Sequence, residues 1–199
     1  MANVGRVRTI YYGATTGSDP FANVNTSTLY KPGELGVVVE EVAAGRRGQF
    51  VQLDSGATSA TATGVVAAGQ LAFWKDKSQA LVTNNAPQAN AVNAPAGGWG
   101  NAGNQTLDAR NFIAGVFQNA TLPGNYTIIL QRSDQKAGFP VKVTGSPNAG
   151  DNLVANTGTA ADAAGVNAGT APTCLVIGQV IGAVSGGKVP CWVNVKETD

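Results

Sequence analysis

With 199 residues, the chain can bury a sizeable core, either as one large β domain or as two small intertwined ones. Charged residues make up 13% of it, 26 are glycine and the formal net charge is +1, so much of the surface has to be small and neutral. Apart from Arg6/Arg8, Arg46-Arg47 and Lys75/Lys77 the cations are scattered, which speaks against the basic face that a direct nucleic-acid site requires.

Residues 1–32 carry no strong period and are interrupted by Gly13, Gly17 and Asp19-Pro20. The apolar residues Val4, Val7, Ile10, Tyr11, Tyr12 and Phe21 are too many for a solvated tail and too irregular for a long helix. The segment reads as an extended arm that lies on another surface, its own core or a neighbouring subunit; an edge strand of the same subunit fits equally. The opening residues lack the apolar region of a secretory signal. No segment approaches the 18 uninterrupted apolar residues of a membrane span, so the expectation is synthesis in a cytoplasm and no membrane partner.

From Gly33 the pattern becomes sheet, and residues 33–199 read as one β-rich region. A β-branched run over 35–42 and a second strand over 49–53 form a hairpin with Arg46-Arg47 at its tip. Glu40 and Glu41, being adjacent, face opposite sides of their strand and cannot act as a paired acid and base. Strands over 65–74 and 80–83 follow, joined by a turn at Lys75-Asp76-Lys77-Ser78. The stretch over 84–108 has no apolar period. A loop of that length inside a compact region is disordered, functional or ordered by a partner, and it reads as a contact insertion; Trp99 among its glycines suits anchoring in a neighbour's pocket, or folding back over its own barrel end. Its Gly98-Trp-Gly100-Asn-Ala-Gly103 lacks the preceding strand and following helix of a phosphate-binding loop.

The stretch over 109–150 organises the chain. Runs over 112–117, 126–130 and 141–143 alternate with turns built on Leu-Pro-Gly, Lys-Ala-Gly and Ser-Pro-Asn-Ala-Gly, which reads as a β meander. A faint repeat accompanies it: Ile-Gly-Gln-Val at 177–180 follows Ala-Gly-Val-Phe at 114–117, Gly187-Lys-Val-Pro-Cys-Trp-Val-Asn follows Gly124-Asn-Tyr-Thr-Ile-Ile-Leu-Gln, and Ala149-Gly150-Asp151 echoes Ala68-Gly69-Gln70. The repeat supports a two-part β architecture. Beyond it the sequence predicts a short strand over 153–155, one helical turn over 160–164, and two last strands over 174–184 and 189–195. Trp192 is expected in the core, and Pro190 at an edge or at the start of its strand.

Chemistry is thinly provided for. There is no histidine, which removes the commonest general base, and the twelve carboxylates are mostly isolated in turns. With a hairpin turn at residues 185–187, Cys191 lies opposite residue 180 and out of reach of Cys174, so two buried free thiols are expected. No catalytic residue, metal site or cofactor is expected.

The series Ala68-Gly-Gln-Leu-Ala-Phe, Ile113-Ala-Gly-Val-Phe, Pro123-Gly-Asn-Tyr-Thr-Ile-Ile-Leu-Gln-Arg, Pro140-Val-Lys-Val, Ala149-Gly-Asp-Asn-Leu-Val-Ala, Val176-Ile-Gly-Gln-Val-Ile-Gly-Ala-Val and the final Val-Pro-Cys-Trp-Val-Asn-Val resembles the head decoration, or capsid cement, proteins of tailed bacteriophages. The resemblance covers residues 64–195. It implies an all-β, glycine-punctuated barrel on the outside of a virion shell, often as trimers, with the major capsid protein as partner and no catalytic residue. With it, Val7, Ile10, Tyr11, Tyr12, Phe21 and Trp99 become the expected capsid or subunit contacts. A tail or adaptor component of a virion, and a carbohydrate-binding module stacking sugars on Trp74, Trp99 or Trp192, are the competing expectations.

Overall fold

A computed structural model describes residues 8–11, 21, 35–42, 44–57, 65–85, 112–134, 136–156, 162–167, 169 and 175–195. Val7, Tyr12, Trp99, Cys174 and nearly all of the 84–108 insertion lie outside the described residues. Among the described residues there are twelve strands: β1 Arg8–Tyr11, β2 Val38–Glu41, β3 Arg46–Leu53, β4 Leu71–Asp76, β5 Leu81–Thr83, β6 Ile113–Phe117, β7 Tyr126–Arg132, β8 Phe139–Thr144, β9 Asn152–Ala155, β10 Ala163–Val166, β11 Gly178–Val180 and β12 Lys188–Val193. The fold is all-β, and no helix among these residues is long and apolar enough to cross a membrane.

The strands close into two five-stranded barrels, β3–β7 and β8–β12. In the first, β3 pairs parallel with β5 and antiparallel with β7, while β4 joins β5 to β6 and β6 pairs with β7. In the second, β8 pairs parallel with β10 and antiparallel with β12, while β9 joins β10 to β11 and β11 pairs with β12. The two barrels have one topology, strand for strand.

The agreement extends to register. Leu71 faces Val116 and Ala72 faces Gly115 in the first barrel, and Asn152 faces Gln179 and Leu153 faces Gly178 in the second. Likewise Gln52 faces Tyr126 as Lys142 faces Lys188, and Trp74 faces Val82 as Ala155 faces Ala163. The corner before the second strand is also copied. Gly69 and Gly150, at φ of 91° and 94°, donate their N–H to Phe117 and Val180, both at 2.9 Å. Two residues earlier, Ala67 N–H donates to Gln70 Oε1 and Asn148 N–H to Asp151 Oδ2, at 2.9 and 2.8 Å. A left-handed backbone at this corner favours glycine in both copies. The faint sequence repeat therefore marks β4/β9, β6/β11 and β7/β12, with one residue fewer in the later β11–β12 connection.

Inside each barrel alternate strand residues point to the axis, with parity broken in β6 at the register shift between Gly115 and Ile113. Val51, Leu53, Ala72, Val82, Ala114, Phe117 and Ile129 fill the first, and their counterparts Val141, Val143, Leu153, Ala163, Ile177, Val180 and Cys191 fill the second. Where the second barrel gains volume, at Leu153 for Ala72 and Ile177 for Ala114, it loses volume at Val180 for Phe117 and Cys191 for Ile129. Cores tolerate such exchange when total volume is kept, so the duplication is plain in topology and faint in sequence.

The barrels share one apolar cluster, in which Leu71, Phe73, Val116 and Leu130 on the outside of the first continue into the interior of the second. Backbone bonds fix the joint: Lys142 N–H to Gly69 O at 2.8 Å, Ser133 N–H to Val193 O at 3.1 Å and Val195 N–H to Gln131 O at 2.8 Å.

Several expectations are corrected. The meander does not exist, because β7 uses its second edge for β3 and the chain crosses to the other barrel over residues 133–138. Residues 163–166 form β10, not a helical turn, held by ladders to β8 and β9. Arg46 and Arg47 lie within β3 opposite Glu41 and Glu40, so each carboxylate meets an arginine across the strand pair. Pro190 is in the middle of β12, between β8 and β11 and opposite Pro140, since a closed barrel has no edge to offer it. The expected hairpin register holds: Cys191 faces Val180, Ser185 pairs with Lys188, and Cys191 is a buried free thiol.

Burial pushes the Cys191 thiol up from 9.0 to about 12. The neutral thiol stabilises the folded chain fully below about pH 9.0, and this contribution is lost as pH rises toward about 12. In a Cys174→Ser chain, Cys191 is therefore expected to resist a disulfide reagent at neutral pH until denaturant is added; prompt reaction in the folded state would contradict this packing. A second comparison isolates the joint. Gly150→Ala should cost about 1 kcal/mol from backbone strain alone, since nothing lies within 4 Å of its added Cβ. Gly69→Ala should cost a further 1–3 kcal/mol or so, because its Cβ would lie 2.6 Å from Pro140 O; equal losses in urea unfolding would deny that contact.

Candidate docking face

Since the barrels match strand for strand and in register over their paired residues, outer positions on one have counterparts on the other, and one such pair of faces differs in what covers it. On the first barrel the face of β3 and β7 presents Phe50, Ile128 and Leu130, with Gly48 between them. A Cβ at Gly48 would lie 2.6 Å from Ile128 Cγ2 and 2.8 Å from Phe21 Cε1, so the missing side chain is what admits the Phe21 ring. The ring is fully buried there. Arg46 lies over it with its guanidinium carbon 4.7 Å from the centroid, and Asn119 Nδ2 donates to Phe21 O at 2.9 Å. Val39 of β2 belongs to the same cluster, and Tyr126 stacks on Phe50 at a centroid distance of 5.9 Å.

On the second barrel the counterparts are Pro140, Pro190 and Trp192, with Gly138 in the place of Gly48. The glycine serves the same close approach: a Cβ would lie 2.9 Å from Cys191 O, as one at Gly48 would from Ile129 O. What sits over it is Ile181 of the same barrel, 2.7 Å from that Cβ position. Lys136, the sequence counterpart of Arg46, is an exposed turn residue whose N–H donates to Asp134 Oδ1 and not a strand residue like Arg46, and Gly182, the sequence counterpart of Asn119, lies against the ring of Pro190. Described residues supply this face with neither a Phe21 nor a β2. Trp192 is 45% exposed where Leu130 is 0% exposed.

Trp192 was expected in the core, and strand parity explains the outcome. Cys191 and Val193 are buried and take the inward positions, so the residue between them points out. A large aromatic between two inward-facing apolar residues of a short strand was the sequence signal for an outer contact.

Of the other expected contact residues, Phe21 is a core residue of its own chain, which removes it from the surface available to a partner. Ile10 and Tyr11 belong to β1, which pairs parallel with β2 opposite Glu40 and Glu41, so this part of the arm is an edge strand of its own sheet. Val7, Tyr12 and Trp99 lie outside the described residues. Trp74 is partly buried against the interior of the first barrel. A cleft of about 420 Å³ opens where the barrels meet, bordering both faces, and is lined by Glu41, Arg46, Leu130, Ser133, Gly138 and Phe139 among others. Among the described residues no three His, Cys, Asp or Glu side chains group as metal ligands would.

No protein-family model, curated protein or solved structure matches the chain.

The two faces predict opposite responses to truncation. Leu130→Ala should cost about 2–5 kcal/mol, as for a buried leucine, whereas Trp192→Ser should cost about 1 kcal/mol or less. Urea unfolding of both variants checks this, and a large loss at Trp192 would mean that its role is structural.

Proposed function

We propose that the chain is a structural virion protein that binds the outer surface of a bacteriophage capsid and strengthens contacts between major capsid subunits. The observation that carries the reading is the tandem barrel whose second copy leaves an aromatic face uncovered where the first copy has it covered. Such a face, on a chain with few charges, favours stable contact with another protein: covering it removes apolar surface from water and desolvates few ions. The resemblance over residues 64–195 supplies the shell as the surface to which it binds. Repetition does the rest, because a modest contact on each of many copies sums to a large resistance against internal pressure.

A carbohydrate-binding module is the second reading, and Trp192 favours it too, since it lies opposite Gln179 and beside exposed Asn194, a ring with polar neighbours suited to stacking on a sugar. Mixing the purified chain with genome-filled and empty heads separates the two. Co-sedimentation at a fixed ratio to the major shell subunit is the expected result. Saturable binding to glycans with no binding to heads would overturn it in favour of the module, and binding to neither would remove both.

A further inference from the structure

The cleft between the barrels has a chemistry of its own, and we propose that it binds a guanidinium or ammonium group carried on a short apolar stem. The proposal goes beyond the shell reading and stands without it.

Joints between packed domains are where small-ligand pockets concentrate, and about 420 Å³ is within the range such pockets occupy. Glu41 of β2 and Arg46 of β3 form one wall, and Asp134 of the crossing segment and Phe139 of β8 form the other. Gln118, the residue after β6, joins them. Phe139, with Ala44 and Ala137, is partly open to solvent and gives a stem an apolar surface to lie on.

The polar atoms of these walls call for donors. Arg46 is the cation in the lining, and it is engaged: its Nε donates to Glu41 Oε2 and its guanidinium lies over the Phe21 ring. Glu41 Oε1 keeps no donor among the described residues. Asp134 accepts the Lys136 N–H on Oδ1 at 2.6 Å, and its Oδ2 likewise has no donor there. Gln118 Oε1 is buried and has no hydrogen-bond partner, an arrangement that costs folded stability and that a donor in the cleft would relieve after a small turn of the flexible side chain. Two carboxylates and an amide oxygen thus face one engaged guanidinium. An anion is disfavoured by that balance of charge, and a neutral hydroxyl ligand would leave it uncompensated. A cation with several N–H groups answers both the charge and the unfilled acceptors, most fully as a guanidinium, whose planar fork reaches more than one oxygen at once.

The test titrates the full chain with butylguanidinium, with butylurea as its uncharged counterpart, and with acetyl-Gly-Arg-Gly-amide, following the backbone amide resonances of Gln118, Ser133 and Gly138. Saturable shifts with butylguanidinium are expected, at about millimolar affinity for so small a group, with butylurea about fivefold weaker or more. Asp134→Asn, whose amide oxygen can still accept the Lys136 N–H, should weaken binding about threefold or more, and so should a rise in salt from about 0.05 to 0.5 M. Gln118→Leu should weaken it by a similar factor while leaving stability in urea equal or higher, because the variant no longer buries an unpartnered oxygen. A glutamine kept for the fold alone would show the reverse, a less stable variant that binds as before. That result, the absence of saturable shifts, equal binding of butylurea, or binding unchanged by Asp134→Asn would each overturn the proposal. Within a positive result the probes separate the sources of the group: tighter binding of the peptide than of butylguanidinium assigns the cleft to an arginine of a partner protein, and exclusion of the peptide assigns it to a free amine or guanidine.

Discussion

Closure of each barrel between its first and last strands, β3 with β7 and β8 with β12, is the constraint on which the rest of the structure depends. Each first strand also pairs in parallel with the third, so it is held on both edges, and the five strands have no free edge left within the ring. Closure forces the inward and outward alternation of every side chain. With only five strands the interior holds few side chains, and the remaining apolar side chains of the same strands are turned outward. Phe50, Phe73, Ile128 and Leu130 on the first barrel, and Trp192 on the second, take the outward positions of that alternation.

Outward apolar residues must be covered or left as a binding surface, and the chain does both. On the first barrel, Phe21, the strand β2 and the second barrel together bury them, so arm, hairpin and both barrels become one core. The second barrel has been given cysteine, alanine and valine inside and proline with tryptophan outside. That pattern keeps its interior filled and shifts its exposed apolar surface to one face. Pro140 and Pro190 are paired on that face, and because the ring is closed the face offers side-chain contact and not strand addition.

Much of this was legible in the sequence, and the gaps have a physical pattern. The runs over 112–117, 126–130 and 141–143 fall in strands because branched and aromatic residues bounded by glycine and proline turns are a local signal. The Cys191–Val180 register followed from one turn, also local. What failed depended on distant partners. The turn over 133–138 resembles a hairpin turn, yet β3, some eighty residues earlier, already pairs with the β7 edge that a meander would need. Arg46 and Arg47 read as a tip until the glutamates across the pair are seen to hold them in β3. Trp192 was assigned to the core by hydrophobicity when parity with Cys191 and Val193 would have placed it outside. The open face was thus readable only in outline, as part of a neutral surface, while the expected contacts Val7, Tyr12 and Trp99 lie outside the described residues.

Duplication turns the chain into its own control, since one barrel shows a filled face and the other the same face open. The proposed role requires that the open face be the one that closes on a shell. Hydrogen exchange of the chain, free and bound to heads, tests this most directly. The account predicts slowed amide exchange on binding over residues 138–142 and 188–193, with β3 and β7 of the first barrel unchanged. Protection confined to the first barrel, or none on the second, would contradict it.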